Sequence, residues 1–118
     1  MTNQMKRTIT SRLLPLLGIV AVLYCHAVAA ATPIIELEIE DHLFHPSEIV
    51  IPADTKVKLV IKNLDPTPEE FESYELNREK VINGNGKAVI FIGPLPPGEY
   101  PFFGEFYPKT AQGKVLVE

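Results

Sequence analysis

Ile35-Glu36-Leu37-Glu38-Ile39-Glu40 is the stretch that decides the fold class of this 118-residue chain. Apolar and acidic residues alternate in it, so a β-strand formed here has one apolar face and one charged face. Alternation of this kind recurs in short segments up to residue 117, whereas no segment of residues 32–118 carries the sustained stripe of an amphipathic helix. The sequence therefore predicts an all-β domain.

Turn signals divide the rest of the chain into short strands. The strands predicted from the alternation are residues 35–40, 48–51, 56–62, 70–76, 79–82, 87–92, 98–103 and 114–117. Asn83-Gly84-Asn85-Gly86 tolerates positive φ and predicts a hairpin that joins residues 79–82 to residues 87–92. Seven or eight short strands with turns roughly every 8–12 residues favour an antiparallel β-sandwich.

The N-terminal segment has the pattern of a secretory signal peptide. Three basic residues precede the nearly uncharged residues 13–31, which end in small residues. We expect a signal-peptide helix at residues 1–29, cleavage after Ala29, a bacterial periplasmic destination and one domain over residues 30–118. The alternative is a retained membrane anchor, because residues 13–31 nearly reach the length of a spanning helix. Pro15 and His26 favour cleavage, which would leave the domain outside the membrane.

Composition narrows the classes of function. Residues 30–118 hold 15 acidic and 8 basic residues, a net charge of −7 that argues against nucleic acid or an anionic membrane surface as partner. Cys25 and both methionines lie within residues 1–29, so the domain has no sulfur ligand and forms no disulfide. Ser47 and Ser73, its only serines, lie in no nucleophile motif, and no phosphate-binding loop is present. No enzyme class is indicated.

Three spaced motifs carry a family resemblance. They are Pro97-Gly98-Glu99-Tyr100-Pro101-Phe102, the glycine-led strand Gly113-Lys114-Val115-Leu116-Val117, and Phe44-His45-Pro46-Ser47-Glu48-Ile49. Together they resemble the cupredoxins, small blue-copper sandwiches, over essentially all of residues 30–118. The resemblance implies a Greek-key sandwich. It also places the four copper-ligand positions on Glu69 or Glu70, Gly104, Tyr107, and Ala111 or Gln112. Blue copper needs two imidazoles and a thiolate, so we expect no blue-copper site.

A narrower branch of this family is also similar. Glu70-Phe71-Glu72-Ser73, Glu79-Lys80-Val81, Gly93-Pro94-Leu95 and Phe103-Gly104-Glu105-Phe106 resemble the cupredoxin-like domains linked to bacterial ferrous-iron uptake, in which carboxylates replace the copper ligands. This resemblance implies an accessory of iron uptake that binds iron and presents it to a membrane iron permease or a periplasmic iron-uptake protein. We expect a monomer or weak dimer. Oxidation of Fe²⁺ is compatible with such a site, but nothing in the sequence requires it.

The expected metal ligands are Glu70, Glu72, Glu105, His42 and Tyr107. The first two point to the same face of a strand, and the sandwich topology would bring the third to the same end. Carboxylates gathered without a cation repel one another, which raises their pKa values. Oxygen donors favour Fe²⁺, Fe³⁺ or Mn²⁺ over Cu⁺. His42 is the candidate nitrogen ligand, and the phenolate of Tyr107 can ligate ferric iron.

Two other functions stay open. A non-blue Cu²⁺ site could combine His42 and His45 with carboxylates, since nitrogen and oxygen donors suit Cu²⁺. A metal-free interaction module could dock through Phe103 and Phe106. The glutamates would then be ordinary solvated strand positions. In either case we expect Arg78 and Lys80 to pair with Glu75 and Glu79 at a strand edge, at little gain in stability.

Overall fold

The structure is a computed structural model that describes residues 2, 10–15, 18–26 and 31–118. The expected signal-peptide helix at residues 1–29 falls in part on residues outside these ranges, and the stretches 10–15 and 18–26 contain no helix. Among the described residues, no helix has the length and apolar character needed to cross a membrane. Cleavage after Ala29 stays a prediction.

The predicted all-β sandwich is confirmed, with nine strands in residues 31–118. The strands are β1 (Ile34–Glu40), β2 (Leu43–His45), β3 (Glu48–Ile51), β4 (Val57–Asn63), β5 (Glu69–Ser73), β6 (Arg78–Ile82), β7 (Lys87–Ile92), β8 (Gly98–Gly104) and β9 (Gln112–Val117). They form a four-stranded sheet in the order β2-β1-β4-β7 and a five-stranded sheet in the order β3-β9-β8-β5-β6. Strand β5 lies between β8 and β6 in the second sheet.

The strand count and the sheet type differ from the expectation. Strand β2 has three residues, too few for an alternating pattern to be recognised in the sequence. The sheets are mixed, because β1 pairs with β4 and β3 pairs with β9 in parallel. Parallel partners are separated by a crossover in the sequence, so the local pattern that predicts a strand says nothing about its direction relative to a distant partner.

The expected hairpin at residues 83–86 is wrong. Strand β6 belongs to the five-stranded sheet and β7 to the four-stranded one, so this turn carries the chain from one sheet to the other. The turn is held by the end of β4: the backbone N–H of Asn63 donates to the carbonyl of Gly86 at 2.8 Å. Asn63 Nδ2 also donates to the carbonyl of Ile82 at 3.2 Å. These bonds replace the ladder that a hairpin would have formed.

The core lies between the two sheets. Leu37, Leu59 and Ile61 from the first sheet are fully buried against Phe71 and Phe102 from the second. The two phenylalanine rings have centroids 5.0 Å apart. Burying side chains of this size removes enough apolar surface from water to hold the sheets face to face. Strand β5, which carries Glu70 and Glu72, and strand β8, which precedes Glu105, are therefore fixed by their inner faces.

Candidate metal site

Strand β5 directs its side chains alternately to the core and to the outer face of the five-stranded sheet. Glu69, Phe71 and Ser73 are each at most 1% exposed and point inward. Glu70 and Glu72 occupy the alternate positions and point outward, where Glu70 keeps 9% exposure. The sequence Glu69-Glu70 thus places two adjacent carboxylates on opposite sides of one sheet.

Three glutamates converge on the outer face between β5 and β6. Glu72 lies directly opposite Glu79 in the antiparallel register, and Glu79 is the diagonal neighbour of Glu70. One carboxylate oxygen of each of these residues lies within 4.8 Å of the other two. We call Glu70, Glu72 and Glu79 the acidic cluster. In the described part of the chain it is the one group of three or more His, Cys, Asp or Glu side chains with donor atoms this close together.

Glu105 extends the acidic cluster from the neighbouring strand. It follows the end of β8 in the β8–β9 loop, residues 105–111, and its backbone N–H donates to the carbonyl of Glu70 at 2.9 Å. Its negative charge makes the smallest of the contributions that raise the pKa values of Glu70 and Glu72. The structure therefore brings Glu70, Glu72 and Glu105 to the same surface.

The pKa values of Glu70 and Glu72 are raised at the acidic cluster. A side-chain hydrogen bond with Glu79, then loss of hydration, then the charges of Glu79, Glu72 and Glu105 raise the pKa of Glu70 to about 7. Loss of hydration raises the pKa of Glu72, and the charges of Glu79 and Glu105 add to it. The raised pKa means that Glu70 gives up its proton less readily than an ordinary glutamate, and a cation bound to the cluster would compete with that proton.

In the part of the chain that the structure describes, these carboxylates have no basic partner. Among the described residues, no Lys, Arg or His lies within ion-pair distance of the acidic cluster or of Glu105. The expected edge pairing fails because Arg78 donates instead to the backbone carbonyls of Phe91, at 2.8 Å, and Asn77, at 2.9 Å. The sequence predicts Glu79 as part of that paired edge and not as a member of the acidic cluster, where the structure places it.

The register of the β5–β6 hairpin explains why Glu79 was missed. The strand predicted at residues 70–76 overran the turn, which in the structure lies between Ser73 and Arg78. Ending β5 at Ser73 makes Ser73 pair with Arg78 and Glu72 pair with Glu79. A turn signal at Asn77, which adopts a positive φ of 52°, was available in the sequence to place that end.

His42 and Tyr107 form a separate group. Their rings stack with centroids 3.5 Å apart and planes inclined by 14°. His42 Nδ1 lies 3.5 Å from Asp65 Oδ2, and both oxygens of Asp65 accept backbone N–H groups, from Asp41 and from His42. No described group of three close donors includes His42. The structure does not bring His42 or Tyr107 into the acidic cluster.

The residues of the two alternative functions lie elsewhere. His45 is exposed on β2, opposite Glu38 of β1 in the four-stranded sheet. Phe103 is half-buried, and its ring lies 5.6 Å from the ring of Tyr74. Phe106 is 46% exposed in the β8–β9 loop. Of the two phenylalanines, Phe106 is therefore the more exposed.

The interior behind the acidic cluster contains a further carboxylate, that of Glu69. Glu69 is 1% exposed, and its Oε1 accepts the backbone N–H groups of Glu70 at 2.9 Å and Phe106 at 3.0 Å. Its Oε2 is buried without a hydrogen-bond partner. A Cβ added to Gly104 would lie 2.6 Å from Glu69 Cδ and 2.7 Å from the Cβ of Ala111. These three residues thus meet at one point inside the sandwich.

A family model described as a cupredoxin-like domain matches residues 13–117. The chain belongs to the cupredoxin-like domain family. It is 43% identical over 83 residues to an uncharacterized protein of Rickettsia prowazekii (strain Madrid E), an alignment that covers 70% of this chain and 66% of that protein. The chain therefore spans about two thirds of the length of that relative.

Solved structures share the fold of this cupredoxin-like chain. The metal-binding domain of the Cu(I)-exporting P-type ATPase CopA of Streptococcus pneumoniae superimposes with a TM-score of 0.67 at 18% identity, over 78% of this chain and 91% of that chain. Auracyanin A, a "blue" copper protein of Chloroflexus aurantiacus, gives a TM-score of 0.64 at 15% identity, over 75% and 100%. At these identities the likeness establishes the fold.

The structure places the paired candidates for two of the copper-ligand positions differently. Of Glu69 and Glu70, Glu69 is the residue that points inward beside Gly104. Of Ala111 and Gln112, Ala111 is buried at the same point and Gln112 is exposed. Glu69, Gly104 and Ala111, three of the positions that the family resemblance offers for copper ligands, therefore meet in the interior, whereas the fourth, Tyr107, stacks on His42.

Proposed function

We propose that this cupredoxin-like protein binds a hard metal ion, iron, at the acidic cluster on the outer face of β5 and β6. The observation that carries the proposal is that one carboxylate oxygen of each of Glu70, Glu72 and Glu79 lies within 4.8 Å of the other two. None of the three has a basic partner among the described residues. Like charges directly opposite each other on paired strands destabilise a sheet. A bound cation would convert that repulsion into attraction.

The donor set selects the kind of ion. Every ligand offered is a carboxylate oxygen, and oxygen donors suit hard ions such as Fe²⁺, Fe³⁺ and Mn²⁺. Glu105 can supply a fourth carboxylate, because its backbone is bonded to Glu70. Several carboxylates held together favour a highly charged ion, which gains most from their summed negative charge.

The amino-acid sequence supports the proposed cellular role. The signal-peptide pattern in residues 1–29 and the resemblance to domains of ferrous-iron uptake support export to the periplasm, with iron presented to a membrane iron permease or a periplasmic iron-uptake protein. A site on the outer face of a sheet suits delivery, since a receiving protein can reach the ion without unfolding the carrier.

Copper is the second candidate metal, because the structures of similar fold include a Cu(I) exporter domain and a blue-copper protein. The interior of this chain does not fit a blue-copper ion: the positions assigned to the ligands by resemblance hold Glu69, Gly104 and Ala111 and supply neither thiolate nor imidazole. A copper site would therefore have to use surface histidines such as His42 and His45, and those residues share no cluster of three donors.

Metal titration of the purified full chain tests the proposal. We expect anaerobic Fe²⁺ to bind and to raise the melting temperature, by a stabilisation of about 2.7 kcal/mol when free ion reaches a hundred times the dissociation constant. Glu72→Gln should weaken binding by roughly tenfold or more, because the number of charged ligands sets the affinity of such sites. Glu40→Gln, an identical charge change at an exposed position of β1, is the matched control.

The same titration separates the alternatives. Binding of Cu²⁺ that is lost in His42→Ala and kept in Glu72→Gln would support the copper function and contradict the acidic cluster as the metal site. If none of Fe²⁺, Fe³⁺, Mn²⁺ or Cu²⁺ binds or stabilises the protein, the metal-free interaction module becomes the better account.

A further inference from the structure

Glu69 is a buried carboxylate that no ion pair explains. It is 1% exposed, and within the described residues no basic side chain lies at ion-pair distance from it. Moving a carboxylate out of water is costly unless strong hydrogen bonds replace the lost hydration. The contacts that Glu69 makes should therefore reveal what the residue contributes.

Its hydrogen bonds connect β5 to the β8–β9 loop. Glu69 Oε1 accepts the N–H of its own neighbour Glu70 at 2.9 Å and the N–H of Phe106, 37 residues away, at 3.0 Å. Phe106 directly follows Glu105, whose own N–H donates to the carbonyl of Glu70 at 2.9 Å. Two successive N–H groups of the loop are thus bound to two successive residues of β5. The acceptor on Glu69 is a side-chain oxygen, whereas the acceptor on Glu70 is its backbone carbonyl.

Gly104 and Ala111 border the space that the carboxyl group of Glu69 fills. Gly104 has no side chain, and a Cβ there would come within 2.7 Å of Glu69 Oε2. Ala111 closes the other side and is fully buried. A larger residue at position 104 would displace the carboxyl group from the N–H of Phe106. The glycine and the glutamate therefore depend on each other.

We infer that Glu69 is a positioning residue that fixes the β8–β9 loop against β5 and thereby holds Glu105 beside Glu70 and Glu72. The inference rests on the proposed function for its purpose, because Glu105 serves as a fourth carboxylate of the cation site. The anchoring of the loop by Glu69 does not depend on the proposed function, because it is a property of the metal-free protein and can be measured without any ion.

Amide hydrogen exchange in the metal-free full chain is the first measurement. In the wild type we expect protection of the N–H groups of Glu105 and Phe106. Glu69→Ala should speed exchange at Phe106 by about tenfold or more relative to Gly104, whose N–H donates to Ala111 and serves as the reference. Glu69→Gln keeps a side-chain carbonyl as acceptor and should retain most of the protection. An unprotected Phe106 amide in the wild type overturns the inference, even if Glu69→Ala fails to fold.

A double-mutant comparison with Fe²⁺ as the probe is the second measurement. Glu69→Ala and Glu105→Gln should each weaken Fe²⁺ binding by a similar factor, and the double variant should bind no more weakly than Glu105→Gln alone. Glu69→Gln should stay within about threefold of the wild type. Independent, multiplied losses in the double variant would overturn the inference, because a residue acting only through Glu105 cannot weaken a site that already lacks that carboxylate.

The two measurements separate failure of the inference from failure of the proposed function. If the wild type binds no Fe²⁺ but Glu69→Ala releases the Phe106 amide, the loop anchor stands and the proposed metal site is wrong. If Fe²⁺ binds and Phe106 stays protected in Glu69→Ala, the metal site stands and the inference is wrong.

Discussion

The carboxyl group of Glu69 occupies the space into which a side chain on Gly104 would project. A Cβ built on Gly104 would lie 2.6 Å from Glu69 Cδ, closer than packed carbon atoms approach each other. The two residues come from adjacent strands of the five-stranded sheet, β5 and β8. Their contact couples the buried side of β5 to the loop that follows β8.

Gly104→Ala should therefore destabilise the protein by about 1–3 kcal/mol, the usual cost of overpacking a core. The added methyl group meets Ala111 as well as Glu69, and neither can move freely, since Ala111 is fully buried and Glu69 is held by two N–H groups. Urea denaturation measures the loss. In a Glu69→Ala background the same substitution should cost less, because one of the two collisions is gone. An equal cost in both backgrounds would show that Glu69 does not limit the space.

Glu70→Gln should stabilise the metal-free protein. Above about pH 7, where Glu70 has lost its proton, the substitution removes a negative charge that Glu79, Glu72 and Glu105 repel, and the neutral amide can still donate a hydrogen bond to Glu79. We expect a higher melting temperature without metal and a smaller increase on adding Fe²⁺. Glu40→Gln on β1 makes the same change of charge away from the acidic cluster and should leave both quantities unchanged. A lower melting temperature in metal-free Glu70→Gln would mean that the glutamates do not repel one another.

The contribution of Glu70 to the stability of the metal-free protein should fall as the pH rises from about 4.5 to about 7. The ordinary pKa of a glutamate is 4.5, and the pKa of Glu70 is raised to about 7, so over this range the folded state keeps a proton that the unfolded chain has released. That contribution is fully present below pH 4.5 and lost above pH 7. Urea denaturation of the wild type and Glu70→Gln across this range isolates it, because other titrating groups are common to both. Parallel stability curves for the two proteins would contradict the raised pKa.

The fold was largely predictable because alternation is a local signal. Ile35 to Glu40 shows it in six residues, and β1 spans Ile34–Glu40 in the structure. What could not be predicted depends on distant partners: β2 is too short to alternate visibly, and the turn at residues 83–86 looks like a hairpin until its contacts with Asn63 are known. Turn residues indicate that the chain reverses direction but do not indicate which sheet it enters next.

The candidate site was predictable only in part, for the same reason. Glu70 and Glu72 share a face by spacing alone, whereas the approach of Glu79 requires the β5–β6 register. Glu69 is the harder case, because a glutamate is almost always exposed unless its carboxylate is satisfied. Its burial becomes intelligible only when the N–H of Phe106 and the absent side chain of Gly104 are seen beside it. The role of these glutamates as metal ligands stays a prediction.

The buried side chain of Asn63 ties the end of β4 to the end of β6, just before the crossing turn, and its removal gives the last prediction. It is 1% exposed; its Nδ2 donates to the carbonyls of Thr67 at 2.8 Å and Ile82 at 3.2 Å, and its Oδ1 accepts the N–H of Asp65 at 3.0 Å. Asn63→Ala should cost about 2–4 kcal/mol, because three hydrogen bonds are lost and buried backbone groups are left unpaired.

Asn63→Asp is the sharper variant, since it keeps the shape of the side chain and the acceptor for Asp65. It replaces the donating amide by a carboxylate oxygen that faces the carbonyls of Thr67 and Ile82, so at neutral pH it should destabilise the fold at least as much as Asn63→Ala. Asn83→Ala, at an exposed position of the crossing turn itself, should change the free energy of unfolding by less than about 0.5 kcal/mol. If Asn63→Ala and Asn83→Ala cost the same in urea denaturation, the turn is held by its own backbone and the side chain of Asn63 is dispensable.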